Sequence, residues 1–199
     1  MMRNYFILYI IVVSLLTACE SQTKDVQSYL EEVNLLSQKD TYDKDKAIKI
    51  LSEGLIKYPN DTKLLETRAT IYCQHGLIKD CRADTLHILE LDQNRAEAIM
   101  GLCMMDEFEG AVLSSIKNCY MNAAKLFADR KSTSIEHEIA NKYNYVFALF
   151  MAEHPDAQIE KANLFKMVES TLGFDVWVYE MTFNNFDRNK MLNGMFKDD

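Results

Sequence analysis

The chain has 199 residues with only 6 glycines and 2 prolines, and its formal net charge at pH 7 is −8. Sheet-rich folds need more turn residues than this, so the composition favours an all-α fold. The acidic charge disfavours nucleic acid as a partner, and it disfavours adhesion to anionic lipid beyond any covalent anchor.

Residues 1–18 have the pattern of a secretory signal. Arg3 gives a basic start, residues 5–15 form an apolar run, and residues 16–19 read Leu-Thr-Ala-Cys. The apolar run is too short for a membrane-spanning helix, which needs about 20 residues. The last four residues resemble the bacterial lipobox, in which two small residues precede the cysteine that receives lipid.

The lipobox resemblance implies that the chain is cut before Cys19 and acylated there, by palmitate or a similar chain. Residues 19–27 are polar and are expected to form a tether between the lipid and the folded part. Glu20 follows the cysteine in place of the aspartate that retains such lipoproteins at the inner membrane. We therefore expect an anchor in the outer membrane with the protein facing the periplasm, and the inner membrane is the less favoured location.

Two stretches in the middle of the chain repeat with a period of 34 residues. In the first, Ala47, Leu51 and Gly54 follow a small, bulky, small pattern, and Pro59 comes shortly after them. Residues 81–98 continue in the same register and end in a similar turn phrase. A period of this length is typical of stacked helical hairpins, since small residues recur where helices cross.

This pattern resembles the tetratricopeptide repeat (TPR) over residues 28–128, with the first helix of the second repeat at Thr62–Gln74. The resemblance implies a right-handed solenoid of antiparallel helix hairpins. Arg68 departs from it at a normally apolar position, and Gln93 replaces the proline that usually stops a helix. Residues 129–199 are predicted to form irregular helices whose aromatic-rich end caps the solenoid, and the alternative is that these aromatics bind a partner.

The cysteines after Cys19 fit the predicted hairpins. Export implies an oxidising compartment, where an even number of cysteines suggests disulfides. One pair lies on either side of a predicted turn at Gly76 and the other on either side of Gly110, and antiparallel helices bring such residues side by side. The expected bonds are therefore Cys73–Cys81 and Cys103–Cys119. The alternative is four reduced cysteines packed as small apolar residues.

We find no catalytic or cofactor-binding pattern in the sequence. His137 and Glu138 begin like a zinc-protease motif, but Asn141 stands where the second histidine is required. A metal site built on Cys73, His75 and Cys81 is disfavoured because an oxidising compartment favours the disulfide. We expect a protein that is not an enzyme and binds no metal or cofactor.

TPR proteins bind other proteins along the concave face that their first helices form. Carrying the ligand-facing positions of that family onto this sequence gives nine candidate binding residues: Lys63, Glu66, Thr70, Gln74, Glu97, Met100, Met104, Glu107 and Phe108. Weaker candidates in the first repeat are Tyr29, Glu32, Leu36 and Lys39. The lysine and asparagine with which chaperone-binding TPR domains clamp a terminal carboxylate correspond here to Glu32 and Leu36, which disfavours that ligand.

The acidic and apolar character of these positions suits a protein partner with a basic or mixed basic and apolar surface. The function that follows is a membrane-tethered periplasmic scaffold or assembly module that acts by protein–protein binding. The alternative is an immunity protein that binds and inhibits a toxic effector in the periplasm, for example a secreted phospholipase.

Overall fold

A computed structural model describes residues 24–38, 42–172 and 177–196 of the chain. The predicted signal, Cys19 and the first part of the tether lie outside these ranges. Within them the protein is all-helical and has ten helices and no strand. The helices are α1 (Val26–Ser37), α2 (Lys44–Lys57), α3 (Thr62–Gln74), α4 (Ile78–Leu91), α5 (Ala96–Phe108), α6 (Leu113–Asp129), α7 (Ile135–Met151), α8 (Ala157–Leu172), α9 (Trp177–Phe183) and α10 (Arg188–Phe196).

Short polar side chains fix where several of these helices begin. Asp25, Asp43 and Asp61 each accept a hydrogen bond from the backbone N–H three residues later, at 2.8 to 3.0 Å. Aspartate is among the best residues for this purpose because its carboxylate satisfies an N–H that has no partner within the helix. Helix α3 therefore starts at Thr62, as the sequence predicts.

The turn at Gln93 ends helix α4 without a proline. Helix α4 stops at Leu91, the backbone at Asp92 is extended, and the Asp92 carboxylate accepts a hydrogen bond from Asn94 N at 3.0 Å. This bond between an aspartate side chain and the backbone two residues later stabilises a turn by itself. The loss of the usual proline is thus compensated locally.

From α1 to α8, every helix packs on the next helix along the chain. Gly76 and Gly110 adopt positive φ angles of 67° and 107° at the turns that follow α3 and α5. Both predicted disulfides are confirmed: Cys73–Cys81 joins α3 to α4, and Cys103–Cys119 joins α5 to α6, with Cα–Cα distances of 5.3 and 5.9 Å.

Gly54 marks a close crossing of three helices. A Cβ atom at this position would lie 3.1 Å from both the Leu64 side chain in α3 and the Tyr29 ring in α1. A methyl group here would be in tight contact with both side chains, so the absence of a side chain at Gly54 lets the three helices approach closely. The small residue of the repeat pattern therefore has a steric cause in this fold.

The end of the chain packs back on the rest of the protein in two steps. Phe183 of α9 lies against Tyr143, Phe150 and Phe165, and Phe186 lies against Phe147 and Phe150, so this part covers the α7–α8 hairpin. Helix α10 then contacts α3 and α5, which are far earlier in the sequence. The sequence predicts that the aromatic-rich end caps the last apolar face of the helical array. Helix α10 instead reaches the middle of the array, where its Leu192 and Phe196 are buried.

Candidate protein-binding groove

Alternate helices line one open groove. A cavity of about 650 Å³ lies between α1 and α3, with Leu30, Val33 and Ile71 among its apolar walls. A second cavity of about 550 Å³ lies between α3 and α5 and is bounded at one side by Met195 and Phe196 of α10. Both cavities share Glu66, Thr70 and Gln74 of α3, so they form one continuous surface, called the inner groove below.

Several candidate residues line the inner groove. In α3, Glu66, Thr70 and Gln74 face both cavities, and Lys63 is exposed on the same helix. In α5, Glu97 and Met104 line the second cavity.

Other candidates have different surroundings. Met100 is only 6% exposed and belongs to the hydrophobic core, so it differs from the expected groove position. Glu107 and Phe108 lie in α5 but are covered by α10. Among the weaker candidates, Tyr29 and Leu36 are buried in the core between α1 and its neighbours, because α1 turns this face inward. Lys39 lies outside the described residues.

Arginines neutralise the carboxylates of the groove. Arg95 Nε donates to Glu66 Oε1 at 2.7 Å, and the two Nη atoms of Arg130 donate to the Glu97 carboxylate at 2.5 and 2.8 Å. Burial alone would raise the pKa of Glu97, but the hydrogen bond and charge of Arg130 outweigh it and hold the pKa below its ordinary value. The groove is therefore less acidic towards a partner than its sequence suggests.

Glu107 is the centre of a largely buried polar cluster beneath α10. The Tyr120 hydroxyl donates to Glu107 Oε2 at 2.5 Å, and Arg188 Nη2 of α10 lies 2.6 Å from Glu107 Oε1. Burial, followed by the bond to Glu107, raises the pKa of the Tyr120 hydroxyl far above its ordinary value, so it remains a donor. The side chains of Glu107 and Arg188 are 12% and 14% exposed.

Sequence reasoning missed two groove residues, Arg95 and Gly101, and it did not place the end of α10 beside the groove. Gly101 lines the second cavity, and a Cβ there would meet no other atom of the described residues within 4 Å. A glycine inside a helix lowers helix stability, so its presence usually has a packing or functional reason. Gly101 in the middle of the predicted helix was therefore the sequence signal for an open position. Arg188 lies in a polar stretch of the sequence, between Asp187 and Asn189, and nothing in the sequence indicates its partner.

Two further observations concern other kinds of site. In the described ranges, no three His, Cys, Asp or Glu side chains come together in an arrangement that could hold a metal ion. None of the helices described is both long enough and apolar enough to cross a bilayer.

No protein-family model matches the chain, and comparisons with curated proteins and with solved structures give no match. The groove therefore has to be interpreted from its own residues.

Proposed function

We propose that this protein is a lipid-anchored, TPR-like binding module that holds a segment of another envelope protein in the inner groove. The observation that carries the proposal is the groove itself, an open and partly apolar surface formed by alternate helices α1, α3 and α5. Binding sites for protein segments need apolar area with a few placed polar groups. Leu30, Val33 and Met104 supply the first, and Thr70 and Gln74 supply the second.

The two disulfides support this role. Each one joins two successive helices, and each ties down a helix that lines the groove, α3 in one case and α5 in the other. A groove held in a fixed shape loses less conformational freedom when it binds, which favours affinity. The helix pairing and the 34-residue sequence period support a solenoid of TPR type.

The experiment is a pull-down of the lipidated protein from envelope extract, with mass spectrometry of the captured proteins. The test variant is Gly101→Leu, whose side chain would fill the second cavity, and the matched control is Ala162→Leu at an exposed position in α8. We expect a partner that the wild type and the Ala162→Leu variant capture and the Gly101→Leu variant loses. Capture by all three proteins would move the binding site away from the groove.

The identity of the captured protein decides between the two roles. An envelope assembly protein indicates a scaffold, and a toxic effector indicates an immunity protein. The anchor is tested separately by replacing Cys19 with serine. This replacement should abolish incorporation of labelled fatty acid and release the protein from the membrane fraction, and continued membrane association would refute the lipid anchor.

A further inference from the structure

Helix α10 is seated on the inner groove as a ligand would be. It packs on α3 and α5, both of which line the groove, and its last two residues form one side of the second cavity. The Phe196 ring lies 5.2 Å from the Phe108 ring. Two of the predicted partner-binding residues, Glu107 and Phe108, are thus in contact with a segment of the chain itself.

Three paired or buried residues of α10 have a spacing that puts them on one helix face. Arg188 pairs with Glu107, and Leu192 and Phe196, four and eight residues later, are 4% and 3% exposed. Positions separated by four residues lie on the same face of a helix. The groove therefore accepts an amphipathic helix with a cation in its first turn and large apolar residues along one side.

Helix α10 has features of a ligand that can leave. It has nine residues with Gly194 in its interior. Helices shorter than about 12 residues are marginal in water unless they pack on something. Arg188 is incompletely satisfied, because its buried Nε has no hydrogen-bond partner in the described part of the chain and its contact with Glu107 is an ion pair without hydrogen-bond geometry. The preceding Phe183 and Phe186 hold the chain to α7 independently of α10.

Departure of α10 would leave Glu107 with the Tyr120 hydroxyl as its partner and without its cation. A partly buried carboxylate that loses its counter-ion is costly, so the replacing ligand is required to carry one. Glu66 and Glu97 do not need a cation from the ligand, since Arg95 and Arg130 already pair with them.

From this arrangement we infer that the partner binds as an amphipathic helix that replaces α10. It carries Arg or Lys in its first turn and large apolar residues four and eight positions later. This inference rests on the proposed function and specifies the partner at the same site. In the absence of a partner, α10 covers the apolar surface between α3 and α5.

The test uses a labelled synthetic peptide of residues 186–199 as the probe and the full chain as the receptor. The wild-type groove is occupied, so the apparent affinity for the probe equals the affinity of the free groove multiplied by the fraction of molecules whose groove is free. A Leu192→Ala/Phe196→Ala variant weakens the hold on α10 and should bind the probe at least about 10-fold more tightly than the wild type does. A probe with Glu in place of Arg188 should lose this affinity, and adding Gly101→Leu to the receptor should reduce binding of the normal probe.

Hydrogen exchange of residues 188–196 measures whether α10 has been released. If these residues exchange freely in the double variant and the probe still fails to bind, the inference is overturned. Equal binding of the probe by wild type and variant would also overturn it, because the site would then lie elsewhere. Should the double variant unfold, Arg188→Gln, which removes the cation beside Glu107 and leaves Leu192 and Phe196 in place, carries the same comparison.

The peptide titration and the envelope pull-down can fail separately. A probe that does not bind refutes the exchange with α10 even if a partner is captured. A probe that binds, together with no groove-dependent partner in the envelope, refutes the proposed function while the groove still accepts such helices.

Discussion

The ion pair between Arg68 and Asp84 gives the sharpest prediction about stability. Arg68 donates to both carboxylate oxygens of Asp84, at 2.8 and 2.7 Å, and to Ser52 Oγ at 2.9 Å, so one guanidinium connects α2, α3 and α4. The Asp84 side chain is 8% exposed and that of Arg68 is 19% exposed. The hydrogen bonds from Arg68 to Asp84 raise the pKa of Arg68 above its ordinary value, so it remains charged.

Removing one partner of such a pair leaves an uncompensated charge in a poorly hydrated place. The cost is about 3–5 kcal/mol for a buried pair. Because Arg68 is partly exposed, we expect Asp84→Ala to lower the free energy of unfolding by about 3 kcal/mol. For a domain of this size that corresponds to a fall in Tm of about 6–12 °C. Arg68→Met should cost at least as much, because Asp84 is the more deeply buried partner.

The assay is urea unfolding followed by circular dichroism, with both single variants and an Arg68→Met/Asp84→Leu double variant. Apolar replacement of both partners removes the unpaired charge, so the double variant should be more stable than either single variant, with a coupling energy of about 2 kcal/mol. Arg82 provides the control. It binds Asp106 and Glu109 at 2.7 Å, but those carboxylates are 46% and 50% exposed. Arg82→Ala should therefore cost no more than about 1 kcal/mol. Strictly additive losses at Arg68 and Asp84 would refute the reasoning.

Three further predictions test the packing, the disulfides and the groove electrostatics. Gly101→Ala should raise the free energy of unfolding by up to about 1 kcal/mol through helix propensity. Gly54→Ala should gain less or lose stability, because its methyl group meets buried side chains. Equal gains for the two variants in urea unfolding would contradict this difference. Replacing the Cys103–Cys119 disulfide by two serines should lower stability by about 3 kcal/mol, given its sequence separation of 16, and an unchanged Tm would show that the bond contributes nothing. Because the pKa of Glu97 is lowered in the folded state, its contribution to stability is present above the unfolded pKa and is lost as pH falls through the folded pKa. Glu97→Gln should therefore flatten the fall in Tm between about pH 5 and pH 3, and a slope identical to that of the wild type would contradict the pairing.

The local features of the fold were predictable because their causes are local. The TPR resemblance places helix α3 at the residues where it is found, and in the structure the Asp61 carboxylate caps its start. The Cys73–Cys81 bond followed from two cysteines near a glycine turn in an antiparallel pair. In both cases the residues that determine the structure lie within about 20 positions of one another.

Other features depend on contacts that no sequence pattern reports. Arg68 breaks the apolar pattern of its helix because it binds the Asp84 carboxylate in the next helix. Nothing in the sequence around Asp84 marks it as the partner. The pairing of Arg188 with Glu107 joins residues 81 positions apart. Sequence reasoning that lacks this pairing makes the α5 side of the inner groove appear acidic and open. The TPR resemblance implies that α3 and α5 line a groove, and in the structure they line the two cavities. Long-range packing decides which of their residues remain accessible.

The central claim is that the inner groove binds another protein, and photo-cross-linking in living cells tests it most directly. A photoreactive amino acid replaces Thr70, an exposed residue of the groove, or Ala83, an exposed residue of α4 outside the groove. The account predicts a discrete cross-linked product with one envelope protein from position 70, absent from position 83 and lost when Gly101→Leu is added. The same product from position 83, or no product from position 70 in a strain that contains the partner, would contradict it.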